Sequence, residues 1–148
     1  MLKASTRVRY SLRAMIELAL HEGTGPMLLR ELAQAQRISI KYLEQLTIPL
    51  RRFGLVQSER GPQGGYELAR PATEITAKEI IEAVEGPLEL LDCMSRPASC
   101  ERATACAARG LWTRVNDAID DVLSRTTLAE LRDAQLAAEA GKAPVYQI

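Results

Sequence analysis

The sequence predicts a mostly α-helical protein with a small β-hairpin: a winged helix-turn-helix plus a long C-terminal dimerisation helix. Apolar residues recur at three- and four-residue spacing in several segments, which is typical of amphipathic helices. Two short strand-like segments flank a turn, residues 60–65, that contains three glycines and a proline. Charge also separates along the chain, with 11 basic and 6 acidic residues up to Arg70 and 8 basic and 13 acidic residues after it. A +5 part therefore precedes a −5 part, a pattern that favours nucleic-acid contact through the first part.

Length and composition exclude several classes of protein. The 148 residues carry no net charge, and 47% of them are apolar, as in a globular domain. Aromatic residues make up only 4%, which disfavours a stacking platform for single-stranded nucleic acid. No apolar run approaches the roughly 20 residues of a membrane span, so we expect a cytoplasmic protein with no membrane partner.

The first half predicts three helices. Ser5 or Thr6 can cap the first helix, and a second is expected over residues 28–36. A tight turn at residues 37–39 follows, and Ser39 is a good N-cap for a third helix. Two short helices around such a turn form the helix-turn-helix pattern. Pro49 predicts a kink or local break in the third helix, because proline removes a backbone hydrogen bond there.

Strands at residues 55–59 and 66–70 would complete a winged helix. Such a domain places the third helix in the major groove of duplex DNA and the hairpin tip in the minor groove. Polar side chains near the start of that helix are candidates for base contacts, with Gln45 suited to adenine and Glu44 either accepting from cytosine or repelling phosphate. The open alternative is that Tyr42 packs in the core and the basic pair at 51 and 52 is merely solvated. The candidate DNA-binding residues are Ser39, Lys41, Tyr42, Glu44, Gln45, Arg51, Arg52, Arg60, Gln63 and Gly64.

The second half predicts three more helices. Capping boxes begin at Thr76 and Thr127, and a longer helix is expected between them over residues 105–124. Its wide apolar stripe needs a partner surface, either a second copy of the chain or the winged helix itself. We expect a homodimer on a palindromic operator. The predicted division is a DNA-binding domain (1–70), a linker helix with a cysteine-bearing sensor loop (71–106), and dimerisation helices with a tail (107–148).

The three cysteines, Cys93, Cys100 and Cys106, are an odd number with six and then five residues between them. An odd count in a reducing compartment argues against a disulfide framework. Three thiolates on one loop and the following helix start favour an iron–sulfur cluster, zinc or copper(I). The Cys-x-x-Cys pairs common in structural zinc sites are absent from the sequence. The alternative is that these are small buried hydrophobic side chains, which fits Cys106 best.

Taken together, these segments resemble the Rrf-two family of bacterial regulators, which includes IscR-, NsrR-, RirA- and CymR-type proteins. The segments that carry the resemblance are STRVRY at 5–10, YLEQL at 42–46, RGPQGGY at 60–66, and the three cysteines before Leu111 and Trp112. The resemblance covers nearly the whole chain. It implies a dimeric winged-helix transcription factor, often a repressor, whose cysteines hold an iron–sulfur cluster that reports iron, oxygen or nitric oxide.

Two positions depart from the family pattern. IscR-like members supply a fourth cluster ligand from a histidine three residues after the last cysteine, where this chain has Arg109. NsrR-like members use an acidic residue from the first helix of the partner subunit, and the matching position in this chain is Arg9. Arginine stays protonated and offers no lone pair, so the cluster type and its fourth ligand stay open. The alternative is a regulator of the same fold controlled by thiol oxidation or by a partner protein, as in CymR-like members.

An enzyme is not expected. The single histidine, His21, lies in the predicted first helix, and no nucleophile with a neighbouring base recurs in the sequence.

Overall fold

The computed structural model describes residues 3–60 and 65–141, and within them the predicted mostly helical fold with one hairpin is confirmed. Three short 3₁₀ turns accompany the main elements, two of them between α5 and α6. None of the helices in these ranges is long and apolar enough to cross a bilayer. The elements in chain order are α1 Thr6–Leu20, α2 Leu29–Gln36, α3 Ile40–Arg52, β1 Val56–Ser58, β2 Tyr66–Leu68, α4 Ala77–Glu85, α5 Asp92–Ser95, α6 Ala107–Arg125 and α7 Leu128–Glu139.

The first three helices form the predicted helix-turn-helix. Ser5 caps α1, its Oγ accepting the backbone N–H of Val8 at 3.1 Å. The turn between α2 and α3 passes through Arg37, whose φ of 55° lies in the left-handed region. Only a few non-glycine residues adopt that conformation. This residue reverses the chain, so α3 starts at a fixed angle to α2.

Of the kink or local break predicted at Pro49, the break is wrong, because α3 runs without interruption to Arg52, and the kink stays a prediction. Proline removes the hydrogen bond that would reach the carbonyl of residue 45. Leu43, Leu46 and Leu50 are all essentially inaccessible to solvent on the inner face of α3. Their burial holds the helix together across the missing bond. The exposed face of α3 therefore continues over its whole length.

The hairpin is attached to the helices at two points. β1 and β2 pair antiparallel, with Val56 opposite Leu68. Met27 and Tyr66 exchange both backbone hydrogen bonds at 2.9 and 2.8 Å, which ties β2 to the segment between α1 and α2. On the other side, Leu55 N–H donates to the carbonyl of Leu50 at the end of α3. The base of the hairpin is thus fixed relative to the third helix.

A single core joins the helix-turn-helix to the C-terminal part of the chain. Leu128, at the start of α7, is fully buried in the same cluster as residues of α1 to α4. Backbone bonds between Leu128 and Ile75 and between Ala77 and Thr126 hold the two capping boxes side by side. The cluster comprises Val8, Ala14, Met15, Leu18, Ala19, Met27, Leu32, Ala33, Leu43, Leu50, Leu55, Val56, Ala72, Ile75, Ile80, Val84, Leu128 and Ala129.

The long helix α6 lies outside this core, and none of its residues is buried. It contacts α4 through an ion pair in which Lys78 Nζ lies 2.7 Å from Asp120 Oδ1. The hydrogen bond to Asp120 raises the pKa of Lys78 above its ordinary value. Leu111 is 55% exposed and Val122 62% exposed. The apolar stripe of α6 is therefore only partly covered by the chain's own core.

Candidate nucleic-acid interface and cysteine segment

The outer face of α3 carries most of the residues predicted to contact bases. Lys41, Glu44 and Gln45 are all exposed, and their three- and four-residue spacing places them along one side of the helix. Two apolar residues accompany them, since Ile40 is 47% and Ile48 41% exposed. The inner face is formed by leucines that pack in the core. This division leaves a mixed polar and apolar surface about 20 Å long, given 1.5 Å per residue.

At the start of α3, Ser39 and Tyr42 have structural partners. Ser39 Oγ accepts the backbone N–H of Tyr42 at 3.1 Å and so caps the helix. The half-buried Tyr42 ring meets the Tyr10 ring of α1 edge to face, with centroids 6.0 Å apart at 86°. Tyr42 thus packs against α1 at the surface and is not among the core residues, so the structure does not decide between a core position and a base contact. A DNA contact by either residue stays a prediction.

The second half of α3 and β1 enclose an open groove of about 570 Å³. Arg51 and Arg52, in the last turn of α3, line it together with Gln57 and Ser58 of β1. Both arginines are exposed. Arg60 is exposed just beyond β1, whereas the candidate residues Gln63 and Gly64 lie outside the described residues.

Lysine and arginine side chains form ion pairs in one part of the chain but not in the other. In the described residues up to Arg60, no lysine or arginine forms an ion pair within 4.0 Å. Five basic residues beyond that point do form such pairs: Arg70, Lys78, Arg96, Arg125 and Arg132. The helix-turn-helix therefore presents cations without carboxylate partners, as expected of a surface that meets a polyanion.

The cysteine segment, residues 92–106, consists of α5 and two 3₁₀ turns on the surface of the molecule. Cys93 is half-buried in α5, Cys100 is exposed, and the half-buried Cys106 caps α6 by accepting the backbone N–H of Arg109 at 3.4 Å. Arg109 Nε donates in turn to the Cys93 carbonyl at 3.2 Å. Arg109 thus connects two of the three cysteine positions.

The side chains of the cysteine segment are of the type that binds a metal or cluster, but they are not placed around a common centre. Three thiols flanked by arginines are a donor set that iron–sulfur clusters favour. Within the described residues, however, no three histidine, cysteine or carboxylate side chains are grouped so that they could hold a metal ion. The structure brings Cys93 and Cys106 near a shared arginine without gathering all three thiols around one centre.

A cluster on α1 was not anticipated from the sequence. The guanidinium carbons of Arg9 and Arg13 lie 5.3 and 5.4 Å from the centroid of the Tyr10 ring. The spacing of an Arg-Tyr pair with a second arginine three residues later is visible in the sequence. Only the position of α1 beside Tyr42 shows that these cations lie next to the start of α3.

Comparison with known proteins yields a consistent set of similarities. Residues 4–134 match the model of the Rrf2 family, the Rrf-two family of the sequence analysis, which is described as an iron-dependent transcriptional regulator. IscR of Pectobacterium atrosepticum is 40% identical over 130 residues, covering 88% of this chain and 79% of that protein.

Two solved structures share the fold over most of both chains. CymR of Bacillus subtilis, described as a global cysteine regulator, superposes with a TM-score of 0.73 at 46% identity, covering 90% of this chain and 98% of that one. IscR of T. potens superposes with a TM-score of 0.74 at 37% identity, covering 99% and 94%.

Proposed function

The chain belongs to the Rrf2 family of transcriptional regulators, and from that membership we propose that it binds duplex DNA through α3 and the hairpin. The observation that carries the proposal is the coincidence of two features on one side of the molecule. The exposed face of α3 offers Glu44 and Gln45 beside two apolar side chains, and the surrounding cations lack carboxylate partners among the described residues. The first feature suits base edges and the second suits phosphates. Such a regulator acts in the cytoplasm, where its DNA lies.

The dimensions of the site suit a major groove. The groove of B-DNA is about 12 Å wide and admits one α-helix. Lys41 near the start of α3 and the Arg51–Arg52 pair at its end flank Glu44 and Gln45, so cations would lie over the phosphates on either side of the bases that are read. The backbone bonds between Met27 and Tyr66 attach β2 to the helices, and on this proposal Arg60 would contact the neighbouring minor groove.

Two substitutions test this arrangement. Gln45→Ala removes a base contact and Arg60→Ala removes a hairpin contact, and each should weaken operator binding between about 5- and 150-fold. Ser124→Ala and Arg125→Ala on α6 are controls at exposed positions away from α3. Fluorescence anisotropy with a labelled duplex measures all four variants. Wild-type affinity in both Gln45→Ala and Arg60→Ala would contradict the assignment of α3 and the hairpin.

We further propose that the protein is a homodimer that binds a palindromic operator. The support lies on α6, which spans 19 residues with no buried side chain and exposes Leu111 and Val122. A two-fold axis between two copies of α6 would bury this stripe and place two α3 helices against two half-sites.

For the signal, we propose that Cys93, Cys100 and Cys106 bind an iron–sulfur cluster, which supplies redox- and oxygen-sensitive chemistry when it is bound. The three-thiol donor set and the iron-dependent description of the family support this. Arg109 links Cys93 to the first turn of α6, so a change at the cysteines reaches the proposed dimer helix directly. The segment must rearrange before three thiols share one centre, since the described residues show no such group.

The second candidate is control by the thiols without a cluster, through oxidation or a partner protein. It is favoured by the separate placement of the three cysteines and by similarity to the cysteine regulator CymR.

Iron and sulfide analysis of protein purified without air separates the two candidates. Bound iron and sulfide that disappear in Cys93→Ser support the cluster. Iron-free protein with normal DNA binding contradicts it, and the thiol candidate then predicts that an oxidant changes DNA affinity in the wild type but not in Cys93→Ser.

A further inference from the structure

Two arginines of α1 are held on the same aromatic ring. The guanidinium carbons of Arg9 and Arg13 lie 5.3 and 5.4 Å from the centroid of Tyr10, within the range of a cation–π contact. Both arginines are exposed and Tyr10 is half-buried. Residues four apart on a helix are neighbours, and two like charges in that relation destabilise the helix slightly. The two arginines therefore repel each other slightly, and a bound anion would offset this repulsion.

In the part of the chain that the structure describes, no ion pair neutralises either arginine, although Glu17 and Glu139 line a groove together with Arg13. Among the described residues, neither arginine has a carboxylate within 4.0 Å. Arg13 Nε donates instead to the neutral Oε1 of Gln36 at 3.0 Å. The nearby carboxylate of Glu17 accepts from Gln36 Nε2 at 3.3 Å, so the buried amide stands between Arg13 and that acid. No hydrogen bond within the described ranges occupies the Nη groups of Arg13 or the guanidinium of Arg9, so these groups can bind an external anion.

Tyr10 also fixes the position of the arginines relative to α3. Its ring meets Tyr42 edge to face in the first turn of α3, and Ser39 caps that turn. Lys41 is exposed in the same turn. The cations of α1 and the start of the helix that we assign to the major groove are thus parts of one packed unit. Phosphates border the major groove on both sides.

We propose that Arg9 and Arg13, held by Tyr10, bind the phosphate backbone of duplex DNA beside the groove that α3 enters. This inference rests on the proposed DNA-binding function and adds a site on α1 to it. The site reads no bases, since guanidinium contacts to phosphate carry no sequence information directly. It contributes affinity and fixes how α3 lies in the groove.

The salt dependence of binding tests this site, because each phosphate contact contributes about 0.9 to the slope of log affinity against log salt. The variants are Arg9→Gln, Arg13→Gln and the double variant, measured by anisotropy between 50 and 200 mM salt with a duplex selected by the wild type and a scrambled duplex. Each variant changes both subunits of the proposed dimer, so raising the salt fourfold should weaken the wild type about 12-fold more than either single variant and about 150-fold more than the double variant. At any one salt concentration, a variant should lose the same factor of affinity on both duplexes.

Arg125→Gln is the matched control. It removes one positive charge from an exposed position at the end of α6, and the slope should stay at the wild-type value. If the salt slopes of the wild type and the double variant are equal, the α1 site is overturned. A double variant with the wild-type slope but a changed dimer dissociation constant would instead place the arginines at a protein interface. If the wild type selects no duplex at all, the proposed function fails as well, so the two failures are distinguishable.

Discussion

Replacing Gly65 with alanine would place a methyl group against the backbone between α1 and α2. An ideal Cβ at this position lies 2.4 Å from the carbonyl oxygen of Met27 and 2.7 Å from its carbonyl carbon. Backbone atoms have no flexible end that can turn away. The β2 strand must therefore move, and with it the base of the hairpin that carries Arg60.

The size of the effect follows from the distances. Ordinary contacts begin near 3.4 Å, so relief of the clash needs a shift of roughly 1 Å. The two hydrogen bonds between Met27 and Tyr66, at 2.9 and 2.8 Å, would be stretched out of bonding range by such a shift. Each contributes about 1 kcal/mol net. Gly65→Ala should thus lower the free energy of unfolding by about 2 kcal/mol.

Urea unfolding followed by circular dichroism, at one fixed protein concentration, measures this change. Gly110→Ala in α6 is the control, because its added Cβ meets nothing within 4 Å. Alanine is the better helix former, so Gly110→Ala should raise the free energy of unfolding by about 0.5–1 kcal/mol. The two glycine-to-alanine substitutions should therefore change the free energy of unfolding in opposite directions. Unchanged stability in Gly65→Ala would refute the contact between β2 and Met27.

Three further predictions concern other parts of the molecule. Burial raises the pKa of Glu79, but hydrogen bonds from the Thr76 backbone and from Arg70 outweigh it and hold the pKa below the ordinary 4.5. As the pH falls, Glu79 is therefore protonated in the unfolded chain before it is protonated in the folded one. In urea titrations from about pH 5 to about pH 3, the free energy of unfolding of the wild type should fall more steeply than that of Glu79→Gln. Parallel curves for the two proteins would be contrary evidence. Arg37→Gly should raise the free energy of unfolding by up to about 1 kcal/mol, because glycine adopts the left-handed conformation of this position without strain. Arg30→Gly within α2 should lower the free energy of unfolding by about 1 kcal/mol. A lower free energy of unfolding in both variants would show that the turn is misassigned. Leu111→Glu combined with Val122→Glu should convert the proposed dimer to monomer in sedimentation equilibrium, while Ser124→Glu should not. A double variant that stays dimeric would exclude α6 as the interface.

Local sequence signals determine much of the fold. The capping boxes at Thr76 and Thr127 and the cap at Ser39 mark helix starts that the structure confirms, because a cap depends on residues within one turn. Pro49 shows the limit of such signals. The break expected there does not occur, because burial of the leucines around it outweighs one lost hydrogen bond.

The functional site depends more on contacts between distant residues. The sequence identifies the exposed polar face of α3, since helical spacing separates it from the leucines. It does not reveal that Tyr42 packs on Tyr10, or that Leu128 of α7 is buried in the same core as α1. These contacts join segments 32 or more residues apart, and spacing within one helix carries no information about them. For the same reason, cysteine spacing alone does not determine whether three thiols meet.

Selection from a random duplex library tests most directly whether α3 reads DNA sequence. The wild type should enrich an inverted repeat whose half-site centres lie about 10 base pairs apart or a multiple of that. Gln45→Ala should keep the repeat but lose the preference at one position in each half-site. No enriched sequence, or an identical motif with Gln45→Ala, would contradict the assignment of α3 as the recognition helix.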